Sequence, residues 1–421
     1  MKPIFKTIAA ASVFCCSMLS AFAQSLPAID LNNLRVINPN PKVQLLKSAA
    51  APAKLSQAAS ANNLSAANPS LKIFQYSFTS PRDGNLYSGS IVGTDPRLVA
   101  RATNVEVVLI PLRIELTNSA GVVFRRFDPT SPDTGCLGGN VTDALSNTLA
   151  SPLFSPVPNY MINGVNMGNT SFIDAFQRAQ FWQNATGGAL VSAKPGFHLN
   201  LTTTVAPKQT ISLVDDVNGS AAAFTFAGDC GANNAAEDNP KAVAVVDINL
   251  IDAKLNDIIA NLNLSKNKFA FFVTYRTYMS EGAPGDLSQC CYLGYHSADY
   301  ASPANPGQTY GIAVYDNVLF EPDISVLSHE LLEWINDPSG FNLVPAWGNT
   351  GQVGSGCQDN LETGDPFSGT YMPGVMMPNG VTYHAQENAF FSWFMGPVFT
   401  GAGGKFSSNG SFTQTASACN Q

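Results

Sequence analysis

The sequence predicts an α+β protein, a mixed sheet with one functional helix, preceded by a β-rich region. Three observations predict it. Residues 71–239 string together β-branched and aromatic runs separated by turn-rich joints. Residues 240–421 pair such runs with segments of helical period. Within them, "SVLSHELLEWINDP" (325–338) sets a histidine beside one glutamate and four residues before another.

The chain opens with Lys2 and Lys6, a short apolar run and Ala21-Phe22-Ala23, so residues 1–23 read as a secretory signal peptide. That run is shorter than the roughly 20 apolar residues of a membrane span, and no later segment reaches that length. The expected product is secreted, extracellular or periplasmic, with no membrane span. Net charge is −8, charged residues make up 12 %, and no basic run occurs. This makes nucleic acid and anionic membranes poor partners. Of eight cysteines, Cys15 and Cys16 leave with the signal. Cys136, Cys230, Cys290, Cys291, Cys357 and Cys419 remain, an even number that favours disulfides in an exported chain. Adjacent Cys290 and Cys291 are expected to bond different partners, because neighbours bridge each other only in a strained ring.

Residues 24–70 are rich in Ala, Ser, Asn and Pro and read as a low-complexity linker or pro-segment with too little apolar surface for a core. In 71–239, runs 104–116 and 121–127 form an expected hairpin, and 170–184 an expected helix capped by Thr170 or Ser171. "FHLNLTTTV" and "AAAFTFAGDC" read as further strands. In 240–421, the pattern gives a strand and amphipathic helix over 241–264, one buried strand over 268–279, and a strand over 308–317. A helix from about Ile324 to Ile335 follows, capped by Asp323 and ended by Asn336-Asp337-Pro338. A closing helix is expected over 387–394.

On the 324–335 helix, His329 and Glu333 are one turn apart and project from one face. Glu330 lies about 100° round, within reach of a water held by the other two. This is the logic of His-Glu-x-x-His metallopeptidases, in which two helix residues bind zinc and the glutamate is the general base. Here Glu333 stands in for the second histidine. The competing reading is an exposed acidic helix face. Leu327, Leu331, Trp334 and Ile335 argue against it, because they bury most of the helix, and buried glutamates are costly unless paired or bound to a cation. One Zn2+ ion is the expected cofactor, although a carboxylate-rich site also tolerates harder cations.

"SHELLEWINDP" resembles the Ser-His-Glu-x-x-Glu-x-x-x-Asp-Pro signature of a group of secreted, zincin-like bacterial proteins, and more loosely the plant exordium (phosphate-induced) proteins. "LGYHSADY" (293–300), "TYGIAVYDN", "LETGDP" (361–366) and "YHAQENAFFSWF" (383–394) are similar to further segments of that group, in the same order. The resemblance covers about 290–395. It implies a zincin-like metallopeptidase domain over 240–421, with His329 and Glu333 as metal ligands, Glu330 as base and a third ligand from Glu362 or Asp365. Cys357 precedes the Glu-x-Gly-Asp element here, whereas the family places a cysteine just after it.

Other candidates carry less. His296 reads as an oxyanion stabiliser or as packing beside the cysteine-rich loop. His384 reads as an alternative ligand or a transition-state donor, with Tyr383 in reach of the same role. His198 sits in a strand and reads as structural. Asp133-Thr134-Gly135 has no second copy to make an aspartic protease, and no Gly-rich phosphate loop or Gly-x-Ser-x-Gly elbow occurs. The expected function is a secreted metal-dependent endopeptidase, using a metal-bound water activated by Glu330 and a protein or peptide substrate paired with the 308–317 strand. The alternative is a non-catalytic secreted protein that binds carbohydrate or cell surfaces on a zincin-like scaffold.

Overall fold

The computed structural model describes residues 35–37, 70–97, 101–132, 142–182, 196–226, 242–299, 306–316, 321–348, 357–397 and 401–419. The signal segment, Asp133-Thr134-Gly135, Cys136 and Cys230 lie outside them.

Elements in chain order begin with β1 (Arg35–Ile37), β2 (Ile73–Thr79), β3 (Leu86–Val92), β4 (Ala102–Thr117) and β5 (Val123–Phe127). Next come α1 (Ala144–Ala150), the small hairpin β6 (Met161–Ile162) and β7 (Val165–Asn166), and α2 (Phe172–Gln180). Then follow β8 (His198–Val205), β9 (Gln209–Val214), β10 (Ala221–Phe226), β11 (Ala242–Asp247) and α3 (Ile248–Leu262). The site-bearing part holds β12 (Lys268–Tyr275), β13 (Thr277–Ser280), β14 (Cys290–Tyr292), β15 (Gly294–Ala298), β16 (Thr309–Tyr315) and α4 (Ser325–Asn336). It closes with β17 (Leu343–Gly348), β18 (Cys357–Asn360), β19 (Val375–Met376), β20 (Thr382–Tyr383) and α5 (Phe391–Met395).

The protein is mixed α+β with a mixed sheet and few helices. Its larger sheet has the order β15-β16-β12-β4-β5, with β8 and β9 also pairing with β4. β15 runs antiparallel to β16, while β16, β12, β4 and β8 run parallel. Strands from both sides of position 240 share this sheet. The β2–β3 hairpin also reaches across: Arg82 donates to the carbonyls of Pro345, Ala346, Phe394 and Ser417.

Alternation along the strands divides the core into two layers. Phe269, Phe271 and Val273 of β12 face α2 and α4, whereas Ala270 and Phe272 face α3. Every residue of α4 is buried. Its Trp334 ring stacks on Phe269, with centroids 4.0 Å apart. Each such apolar side chain contributes roughly 1.5–3 kcal/mol of burial free energy, so α4 is a structural spine as well as the carrier of the polar trio.

Several expectations change. The run 268–279 is two strands: Arg276 adopts a positive φ of 46°, and the chain leaves the larger sheet to pair β13 with β11 in a second one. That second sheet has the order β1-β10-β11-β13-β14, so β1 lies within the segment read as a linker. Cys290 and Cys291 bond to each other, contrary to the expectation of separate partners, and Cys357 bonds Cys419. The 308–317 strand is interior, with β15 on one side and β12 on the other, so it offers no free edge to a substrate; β15 is the outermost strand on that side among the described residues. No helix among the described residues is long and apolar enough to cross a membrane.

Candidate metal centre

The helix predicted around 324–335 forms as α4, ending where Asp337 precedes Pro338. Its start differs from expectation. No side chain caps the helix N-terminus, and the Asp323 carboxylate instead accepts from the Ile324 amide and from both the amide and the Nδ1 of His384. The Asp337 carboxylate accepts from the amides of Phe341 and Asn342, which folds the chain back past the helix end.

His329 and Glu333 share one face, as their spacing requires. His329 Nε2 lies 3.0 Å from Glu333 Oε2 and 3.7 Å from Asp365 Oδ1. Both side chains are held from behind. Gln386 donates its Nε2 to the Gly364 carbonyl, which turns its Oε1 toward His329 Nδ1 at 3.2 Å. An amide oxygen only accepts, so Nδ1 donates to it, and Nε2 is a lone pair in the neutral imidazole and a second N–H in the imidazolium. Glu333 Oε1 accepts from the amides of Gly364 and Asp365, leaving Oε2 turned toward the imidazole. The two atoms face each other at 3.0 Å, buried and without a well-aligned hydrogen bond. With the imidazole neutral that arrangement sets two lone pairs against each other; either a proton, giving a buried ion pair, or a cation between them supplies the positive charge it needs. Their separation suits a shared ion, because zinc takes such atoms at about 2.0–2.2 Å each.

A second constellation adjoins the first. His296 on β15 is buried, and its Nε2 donates to the Asp337 carbonyl at 3.0 Å. Its Nδ1 lies 3.7 Å from Glu330 Oε2 and 3.7 Å from Glu333 Oε2, and neither His296 Nδ1 nor Glu330 Oε2 has a hydrogen-bond partner. Two groups of donor atoms result, His329–Glu333–Asp365 and His296–Glu330–Glu333, each with its atoms within 4.8 Å of one another. They share only Glu333. Each imidazole gives its outer N–H to an oxygen of the fold, the habit of metal-binding histidines.

Close packing by glycine makes room for both groups. A Cβ on Gly364 would stand 2.5 Å from His329 Nδ1, and one on Gly294 would stand 2.6 Å from Glu330 Oε1. The loop carrying Asp365 is tied to the chain's end by Cys357–Cys419 and steadied by Gln358, which donates to Asp365 Oδ2.

Electrostatics follow from this crowding of acids. Burial disfavours a charged His329, yet Glu333, Glu330 and Asp365 outweigh it and raise its pKa well above the ordinary value. His296 is raised in the same way, with Glu330 and Glu333 overcoming burial. Burial, with Glu333 next, pushes Asp365 up to about 7, and burial with the neighbouring acids pushes Glu362 well above the carboxylate range. Burial also raises Glu330, whereas the two histidines and the Gly364 amide hold Glu333 down. The pocket favours positive charge, which metal binding would supply in place of protons.

The expected site residues therefore divide. His329, Glu330, Glu333, Asp365 and His296 come together. Of the two implied third ligands, Asp365 joins His329, while Glu362 is in neither group; its Oε1 accepts from Asn360 and its Oε2 is unpartnered. His384 is in neither group: its ring is 39 % exposed and bonds Asp323 through Nδ1. It stands two residues before Gln386, on the segment anchored to α4 where Ser328 Oγ accepts from the Gln386 amide. Tyr383 packs in the core, its hydroxyl accepting from Asn379. His198 bonds Asp174, in keeping with a structural role. Sequence reasoning passed over Gln386, Gln358, Gly364 and Gly294. The one available signal was their position inside or beside the segments that carry the resemblance. No family profile, no curated protein and no solved structure matches the chain.

Proposed function

We propose that the protein is an exported metal-dependent hydrolase of the zincin-like kind, an endopeptidase. The observation that carries this reading is the pair His329 Nε2 and Glu333 Oε2, buried, unpartnered, 3.0 Å apart and each anchored from behind. His329, Glu333 and Asp365 would hold the ion, and their nitrogen and oxygen donors suit zinc. When bound, such an ion polarises a carbonyl and acidifies water. Glu330 is placed to take a proton at Oε2, an oxygen with no other partner. His384, oriented by Asp323 and half-exposed, suits donation to charge developing on a substrate. β15, the outermost strand of the larger sheet among the described residues, lies beside α4 and is the strand nearest the site for an extended peptide to approach.

The test is hydrolysis of a mixed peptide library by the purified protein, before and after chelation and again after zinc is restored. Cleavage that stops with chelation and returns with zinc is expected. Cleavage unchanged in metal-free protein contradicts the proposal.

A further inference from the structure

The group formed by His296, Glu330 and Glu333 has no task in the reading above beyond the ligand role of Glu333 and the proton-accepting role of Glu330. Its geometry is nonetheless that of a built site. His296 Nδ1 is equidistant, at 3.7 Å, from Glu330 Oε2 and Glu333 Oε2. Donors around one tetrahedral ion stand about 3.4 Å apart when each bond is about 2.1 Å. His296 is 4 % exposed and Glu330 1 % exposed, and all three facing atoms lack a hydrogen-bond partner. The imidazole is fixed by β15, where His296 pairs with Gly311, and by its bond to the Asp337 carbonyl. Glu333 is fixed by two loop amides through Oε1, so its Oε2 faces both imidazoles.

We propose that His296 Nδ1, Glu330 Oε2 and Glu333 Oε2 form a second divalent-cation position, joined to the first through Glu333, and that filling it withdraws Glu330 as a proton acceptor. The blockade is electrostatic: a carboxylate that ligates a cation through Oε2 is a much weaker base, and the cation occupies the oxygen that faces the site. This regulatory part rests on the hydrolase reading; the binding part does not.

The experiment is titration of metal-free protein with zinc alone, followed by native mass spectrometry and by peptide hydrolysis. Wild type should bind two equivalents, with hydrolysis rising over the first and falling at least tenfold over the second. His296→Gln and Glu330→Gln should each bind one equivalent, and circular dichroism identifies any variant that fails to fold. A single equivalent in folded wild type, with His296 acting only as an ion-paired imidazolium, overturns the second position and leaves the hydrolase reading standing. No bound zinc at all overturns both. Two equivalents without loss of hydrolysis overturn the blockade.

Discussion

Neighbouring residues of β15 serve two buried acid clusters on opposite faces of one sheet. Tyr295 points toward α3, where its hydroxyl and that of Tyr310 donate to Asp252 Oδ1 at 2.9 and 2.7 Å, and Asn256 donates to Asp252 Oδ2. His296 points the other way, toward Glu330 and Glu333, whose inner oxygens have no donor. Asp252 and Glu333 are almost equally buried. Burial of a carboxylate is therefore no sign of function by itself. Glu387 makes the same point, because its oxygens accept from Ser407, Asn409 and Ser411. What sets the α4 cluster apart is unspent lone pairs that converge, and buried polar atoms left so are the exception in folded proteins.

This contrast can be broken or sharpened by substitution. Glu330→Gln should cost roughly a hundredfold to ten-thousandfold in hydrolysis, the usual contribution of a general base. Its metal-free melting temperature should change little, because burial already favours the neutral form of Glu330 and the amide is nearly isosteric with it. A large fall in the metal-free melting temperature would place Glu330 in the same class as Asp252. Asp252→Ala should do the reverse. Two buried tyrosine hydroxyls lose their acceptor, at about 1–3 kcal/mol each, so denaturant unfolding should show a loss of about 3 kcal/mol with zinc content unaltered. Zinc lost together with stability would tie the two clusters into one.

Smaller effects test the supports. Gln386→Leu frees His329 Nδ1 and should weaken zinc affinity about tenfold to a hundredfold in a competitive chelator assay, as loss of such orienting partners does elsewhere. Unchanged affinity would show that the imidazole needs no such hold. The smallest effect belongs to a buried acid with conventional partners. Asp128 accepts from Lys208 and Thr130, which outweigh burial and hold its carboxyl below the usual range. Its stabilisation is present above about pH 4 and fades as pH falls through that depressed value. Asp128→Asn should cost about 1 kcal/mol at pH 7, and the gap to wild type should narrow in acid.

How much of this was legible in the sequence depended on range. The helix was legible because His329, Glu330 and Glu333 lie within a single turn-and-a-bit and are flanked by apolar residues at helical spacing. The strands of β4, β8, β12 and β16 were legible from β-branched runs. The break at Arg276 was not, because nothing local separates a buried strand that continues from one that changes sheets. The partnership of Gln386 with His329 spans 57 residues, and that of Gly364 with the same ring depends on how a loop docks. Such contacts are settled by tertiary packing. The same holds for the choice between Glu362 and Asp365, which are three residues apart and chemically alike. For Cys290 and Cys291, a general rule about strain gave the wrong pairing.

The most direct measurement is zinc content, by inductively coupled plasma mass spectrometry, of wild type and Glu333→Ala produced side by side in zinc-supplemented medium. Glu333 is the one residue common to both donor groups. At least one equivalent in wild type and essentially none in folded Glu333→Ala is the expected result. A wild type free of divalent metal, or equal zinc in both proteins, would contradict the assignment of a metal centre to α4.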